Sequence, residues 1–278
     1  MKKSFKFYIN KLINYFLIII SLKIFQFIFD FLLHISLKAK GYKNFGNLYL
    51  TGEHNFINII KKHKIQLSLD IGANIGDYSK KILEKTNSKV IAFEPDKTAF
   101  KKLKKLNSNF CNRFKAYNLA LSEKNQHLYF YFTGAKSQLS SLEKNIVKLN
   151  YVEKSKLKKK KIKCFKGDNL IINKMKINKV DFIKVDTEGH DLKVLKGLKK
   201  TIAKSKTKFI QFEMNWHNLF SNTNLYQFAL EFNKYDLYRI LPYKSGVLKI
   251  DFNHPDNNLF HLSNYVLVRK DIKINWKT

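Results

Sequence analysis

Five carboxylates fall at or just beyond the ends of apolar runs in this chain: Asp70, Glu94, Asp186, Glu188 and Glu213. The first two bracket the stretch LSLDIGANIGDYSKKILEKTNSKVIAFEP, residues 67–95, which reads as strand, glycine-punctuated turn, helix and second strand. Gly72 and Gly76 lack Cβ, so the backbone there can approach a ligand closely and take positive φ, and Asn74 tolerates the left-handed region. Glu94 follows Gly72 by 22 residues and ends an apolar run that Pro95 stops. At a strand's carboxyl end an acidic side chain can accept both hydrogen bonds of a ribose diol, which implies an adenosine-type ligand.

The glycine spacing narrows that ligand. A dinucleotide site needs G-x-G-x-x-G so that a pyrophosphate can rest on a helix amino end. Here the pattern is D-x-G-x-N-x-G, with Asp70 ahead of the first glycine. A carboxylate in that place faces a cationic ammonium or sulfonium more comfortably than a phosphate. S-adenosylmethionine carries such a charge and NAD does not, so Asp70, Gly72, Asn74, Gly76 and Glu94 are read as its binding set.

A second apolar run, residues 180–185, delivers Asp186, Thr187, Glu188, Gly189 and His190 to the loop beyond it, and residues 209–212 lead to Glu213 and His217. Carboxyl ends of adjacent strands meet at the ligand crevice of a doubly wound sheet, so these side chains are expected to converge with Asp70 and Glu94. Transfer of a methyl group from a sulfonium to a hydroxyl requires an oxygen placed in line and a base for its proton. Asp186, Glu188 and His190 are the candidates, histidine being the residue type that titrates nearest neutrality. The competing reading of this loop is helix capping by Asp186 or Thr187, with Glu188 favoured by the helix dipole and His190 beginning the helix and pointing away. Oxygen ligands Asp186, Glu188 and Glu213 would suit a divalent metal, but their spacing matches no recognised motif and no metal is expected.

With these residues in view the chain resembles the FkbM-type methyltransferases. The resemblance rests on LDIGANIGDYS (residues 69–79), AFEP (92–95), NLALSEK (118–124), DFIKVDTEGHDLKVLKG (181–197) and QFE (211–213), and covers residues 50–270. One departure is Gly167, ahead of Asp168, where the family usually has leucine. The resemblance implies an α/β, Rossmann-like class I methyltransferase fold: a mostly parallel twisted sheet with helices on both faces, closed by an antiparallel hairpin. It also implies O-methyl transfer from S-adenosylmethionine, with Asn118 or Ala120 lining the adenine side. The expected acceptor is a sugar hydroxyl on a surface glycan or a lipid-linked glycan intermediate, as in polysaccharide biosynthesis.

The elements that must hold these groups follow from periodicity. A helix is expected over residues 53–64, another from the Asp96 cap to about residue 107 with Phe100, Leu103 and Leu106 facing the sheet, and a strand over 114–121. Alternation at Leu128, Phe130 and Phe132 predicts an antiparallel strand paired with residues 162–165. Between them, Ser137, Gln138, Ser140, Ser141 and a lysine-rich segment ending in Lys158, Lys159, Lys160 and Lys161 read as the mobile basic loop of an inserted hairpin that could cover the substrate, the lysine run itself being read as solvated surface. Strands are expected over 180–185, 209–212, 237–241, 248–252 and 265–268, with a helix over 224–233. Residues 38–278 are read as the methyltransferase domain.

Residues 1–37 form a separate segment. Lys23, Gln26, Asp30 and His34 fall near one line of a helix and leave Ile24, Phe25, Phe27, Ile28, Phe31 and Leu32 over the rest, an amphipathic pattern. The longest uncharged run, residues 12–22, is 11 residues, against the about 20 a spanning helix needs. Such a helix can lie in a membrane interface or dock on protein, and no small-residue cleavage site marks it as an export signal. The expected location is the cytoplasm, where the cofactor is made, with association at the inner face of the membrane as one reading of this segment.

The formal net charge of the 278 residues is +32, and only Arg113, Arg239 and Arg269 among the 53 basic residues are arginine. Forked grips on phosphate favour arginine, so nucleic acid is not the default partner, though RNA sugar-hydroxyl methylation stays open as the alternative activity. A catalytically idle adaptor is the remaining class, and the intact Asp70, Gly72, Gly76 and Glu94 speak against it. Cys111 and Cys164 are far apart with no C-x-x-C, which excludes a disulfide framework and a zinc ribbon.

Overall fold

The computed structural model describes residues 2–132, 140–144 and 157–274. Ser137, Gln138 and residues 145–156 of the expected basic loop lie outside the described residues. The chain divides into two units, Met1–Lys40 and Gly41–Thr278.

The first unit holds two helices, α1 (Lys2–Ile20) and α2 (Gln26–Ala39), where one was expected. Ser21 and Gln26 cause the break. The Ser21 hydroxyl donates to the Ile18 carbonyl at 2.9 Å and the Gln26 amide donates to the Ser21 carbonyl at 3.0 Å, so side chains replace the backbone donors that would have continued the helix. Among the described residues no single helix is long and apolar enough to cross a membrane.

The second unit begins with α3 (Glu53–Lys61), β1 (Leu67–Ile71), α4 (Asp77–Lys85), β2 (Lys89–Phe93), α5 (Lys97–Leu103), α6 (Leu106–Asn109) and β3 (Phe114–Tyr117). Asp96 caps α5 by accepting from Thr98 and Ala99 N–H at 2.8 and 2.9 Å. Next come β4 (Ala120–Ser122), β5 (Gln126–Phe132), β6 (Ser140–Ser141) and β7 (Lys158–Lys166). The remainder is β8 (Phe182–Val185), α7 (Asp191–Gly197), α8 (Lys199–Ser205), β9 (Phe209–Met214), α9 (Trp216–Phe220), α10 (Leu225–Glu231), β10 (Tyr235–Ile240), β11 (Val247–Lys249) and β12 (Ser263–Arg269).

Eight strands form one sheet in the order β11-β10-β12-β9-β8-β1-β2-β3. The five from β9 to β3 run parallel, and β12, β10 and β11 close the other side antiparallel. Strand alternation sends Leu69, Ile71, Ile183, Val185 and Phe212 to a core with Val194 and Leu195 of α7 and Phe228 of α10. Val90, Ala92, Phe182 and Phe209 go to a second core with Phe56 and Ile60 of α3 and Ile82 of α4. Each large apolar side chain so buried contributes about 1.5–3 kcal/mol. Helices on both faces of a mostly parallel sheet with antiparallel closing strands are the class I methyltransferase architecture.

Two expectations need correction. The strand expected over 114–121 is two strands in different sheets, because Leu119 N–H turns back to the Tyr117 carbonyl at 3.0 Å and the Asn118 side chain donates to the Glu94 carbonyl at 2.8 Å. Beyond that turn, β4 pairs with β7 in a second sheet of order β4-β7-β5-β6. Lys158 to Lys161 therefore lie in a strand and not in a loop. Cross-strand aromatics hold them there: Lys159 Nζ stands 5.0 Å over Tyr129, and Lys160 Nζ 5.1 and 5.3 Å over Phe130 and Phe132.

Candidate functional site

In the large sheet the chain runs outward from β1 to β3 on one side and returns to β8 and β9 on the other, so the order reverses between β1 and β8. A crevice opens beyond the carboxyl ends of strands at such a point. The cavity there has a volume of about 590 Å³ and its wall includes Asp70, Gly72, Asn74, Glu94, Asp186, Glu188 and Glu213. The chain passes close at this crossing: a Cβ on Gly72, whose φ is +80°, would lie 1.8 Å from the Asp186 carbonyl oxygen. Gly76 answers a different need. Its added Cβ would meet Leu103 and Leu106 at 2.7 and 2.8 Å, so this glycine seats α4 against the α5–α6 segment and is not on the cavity wall.

Glu94 is held by one backbone N–H per oxygen, Asn74 N to Oε2 at 2.8 Å and Asp96 N to Oε1 at 2.7 Å. Asn74 turns its amide to this task with φ +49°. Each carboxylate oxygen keeps acceptor capacity, which is what a vicinal diol requires. Burial pushes the Glu94 carboxyl up to about 7, against the pull of the two N–H groups. Asp70 is fully buried; Ser79 Oγ donates to its Oδ2 at 2.6 Å while Oδ1 has no partner. Burial raises its affinity for a proton and the Lys184 ammonium opposes this. A buried carboxylate oxygen left open on a cavity wall fits the ammonium of an amino-acid cofactor.

Sequence reasoning passed over Lys184. It is buried in β8, and strand register places Asp70, Lys184 and Gln211 in one row across β1, β8 and β9. Its Nζ donates to Asp186 Oδ2 at 2.8 Å and lies 4.9 Å over the Tyr78 ring. Burial alone would favour the neutral amine, but Asp186, Glu53 and Asp70 hold it charged, with a pKa well above the ordinary lysine range. Beneath it, Tyr78 donates to Gln211, whose amide donates to Glu53 at 2.7 Å and Asn264 at 3.2 Å. Lys184 was visible only as one polar interruption of an apolar run.

Glu188 sits at φ +52°, beside Gly189 at +91°, where an added Cβ would meet the His217 Cβ at 2.9 Å. Glu188 Oε2 is 2.7 Å from His217 Nδ1 and accepts from Asn215 Nδ2 at 3.2 Å, and the same amide donates to Glu213 Oε1 at 2.7 Å. Asp186, Glu188 and Glu213 each offer an oxygen within 4.8 Å of the others, the one such group among the described residues that could hold a metal ion. Burial and then the nearby Asp186 and Glu188 charges push the Glu213 carboxyl well above the usual carboxylate range.

Besides Gly76, two of the sequence candidates lie off the cavity wall. His190 is buried off the cavity wall, its Nε2 2.9 Å from Ser122 Oγ and its Nδ1 2.6 Å from Glu143 Oε1, which also accepts from Lys193 Nζ at 2.7 Å. It precedes α7 at the N-cap position, and that geometry turns its ring toward the second sheet and away from any acceptor. Asn118 is exposed and spends its amide on the Glu94 carbonyl, so it braces the turn and Ala120 takes the place on the cavity wall.

Comparison with known proteins adds the family. No curated protein matches the chain by sequence. Similar solved structures include an rRNA methylase from Streptococcus thermophilus (9% identity, 81% of this chain and 98% of that one, TM-score 0.42). Others are precorrin-6y C5,15-methyltransferase from Geobacter metallireducens GS-15 (8%, 78% and 88%, 0.39) and P. horikoshii TYW2 in complex with MeSAdo (16%, 82% and 65%, 0.39). At these scores none carries a substrate or a residue role across. The methyltransferase FkbM domain model matches residues 70–240, from Asp70 in β1 to the end of β10, and this chain belongs to that family of S-adenosylmethionine-dependent methyltransferases.

Proposed function

We propose that the chain methylates a sugar hydroxyl, on a surface glycan or a lipid-linked glycan intermediate, in the cytoplasm. The observation that carries this reading is the pairing, on one cavity wall, of a nucleoside clasp (Glu94 with Asn74 and Asp96) and a carboxylate cluster (Asp186, Glu188, Glu213). S-adenosylmethionine bound here would supply an electrophilic methyl group on its sulfonium. Glu94 accepts from the ribose hydroxyls, and Asp70 Oδ1 receives the amino group. Asp186 is committed to Lys184, so Glu188, steadied by His217 and Asn215, is the better-placed base to take the proton of the acceptor hydroxyl. Phe130 and Phe132 on the same wall offer apolar faces to a sugar ring while carboxylates accept from its hydroxyls.

Titration calorimetry with S-adenosylmethionine and S-adenosylhomocysteine tests the cofactor half, and radiolabelled methyl transfer to lipid-linked and free glycans tests the acceptor half. Binding of NAD in place of the sulfonium would overturn the reading. A second activity, methylation of an RNA sugar hydroxyl, is favoured by one feature: the outer face of the second sheet exposes Tyr129 in register with Lys161, beside Lys159 and Lys163. Affinity for single-stranded RNA that falls steeply between 50 and 200 mM salt, roughly as the power law of counterion release, would select it over the glycan.

A further inference from the structure

We infer that the unit Met1–Lys40 is an interfacial anchor that lies in the plane of an anionic bilayer with its apolar faces in the acyl boundary. This surface stands apart from the choice of acceptor above. Among the described residues 28 large hydrophobic side chains are exposed, and 18 of them fall within residues 7–35, so the excess is concentrated in α1, α2 and the short segment that joins them. A soluble surface scatters such groups singly; a contiguous stretch marks a contact surface. Leu12, Ile24 and Phe27 are 72, 71 and 69% exposed.

The pattern on the two helices selects the occupant. On α1, Lys6, Asn10 and Asn14 recur every four residues; on α2, Gln26, Asp30, His34 and Lys38 do the same. Each helix therefore carries one polar line and a broad apolar remainder. Two successive helices of the same design, joined by residues 21–25, suit a plane that both can lie in. Neither helix by itself is long and apolar enough to span, since charges interrupt each apolar run short of the about 20 residues a crossing needs. Charge complementarity chooses the lipid. Residues 1–40 hold Lys2, Lys3, Lys6, Lys11, Lys23, Lys38 and Lys40 against a single acid, Asp30, and an excess of lysine beside an apolar helix face is drawn to anionic headgroups.

The test is flotation of the full chain with vesicles of phosphatidylglycerol and phosphatidylcholine, or of phosphatidylcholine alone. The expected result is recovery with the anionic vesicles, at least tenfold weaker partition to the neutral ones, and partial release by 0.5 M salt. The double variant Phe27→Glu, Phe31→Glu should lose flotation while its calorimetric affinity for S-adenosylmethionine stays that of the parent, which separates loss of the anchor from loss of the fold. Recovery with neither vesicle, equal recovery with both, or a soluble oligomer by light scattering that floats with neither would overturn the proposal. The last result would assign the apolar faces to a second copy of the chain. Cofactor binding and methyl transfer are read separately, so failure of the anchor leaves the enzyme reading where it was.

Discussion

In the proposed site, Glu94 would couple cofactor affinity to pH. Its carboxyl titrates near 7, and a diol donates to the ionised form, so affinity for S-adenosylmethionine should fall about tenfold from pH 8 to pH 6 by linkage. Glu94→Gln should bind weakly and without that pH dependence. Folding stability runs the other way. The folded pKa lies above the ordinary 4.5, so the group's contribution is complete below 4.5 and is lost as pH rises through about 7. Base assignment is testable in the same assay: Glu188→Gln should lower kcat by about 10²–10⁴ with cofactor affinity retained, as removal of a general base does. His190→Ala should spare most of kcat, because His190 touches Ser122 and Glu143 and no reacting group. Gly72→Ala meets both a left-handed φ and the Asp186 carbonyl, and a loss of about 2–4 kcal/mol in urea unfolding is expected from strain and overpacking together.

At the scale of elements, β8 does more than deliver the loop that follows it. Through register it sets Lys184 between Asp70 of β1 and Gln211 of β9, so one ammonium offsets the buried Asp70 and Glu53 and the half-buried Asp186, carboxylates from three separate segments. Lys184→Met removes the cation and leaves those charges unpaired, with an expected cost of about 3–5 kcal/mol in thermal or urea unfolding. The β5–β7 pair shows the converse, a strand that local composition argued against. Four consecutive lysines read as solvated loop, yet alternation puts Lys159 and Lys160 on opposite faces of β7, each against its own aromatic partner on β5. The aliphatic stems pack while the ammonium groups meet ring faces, and that is invisible in a count of charge.

For the molecule as a whole, every residue on the cavity wall lies in the unit Gly41–Thr278, so a chain lacking residues 1–40 should bind S-adenosylmethionine within about twofold of the full chain by calorimetry, a change of under half a kcal/mol. The sequence by itself determined the class of fold, the turn from Asp70 to Gly76, the place of Glu94 just beyond β2 and the convergence of Asp186, Glu188 and Glu213. Each of these depends on local pattern: where an apolar run ends, which residue follows it, and which backbone conformation glycine permits. Tertiary structure alone decided that Lys184 neutralises the crevice floor, that His190 faces the second sheet, that Asn118 braces a turn and that the Lys158 to Lys161 run is a strand. The reason is that these outcomes are set by register and packing between segments distant in the chain, such as β1 against β8, and no local periodicity encodes which side chain a remote strand will place beside another.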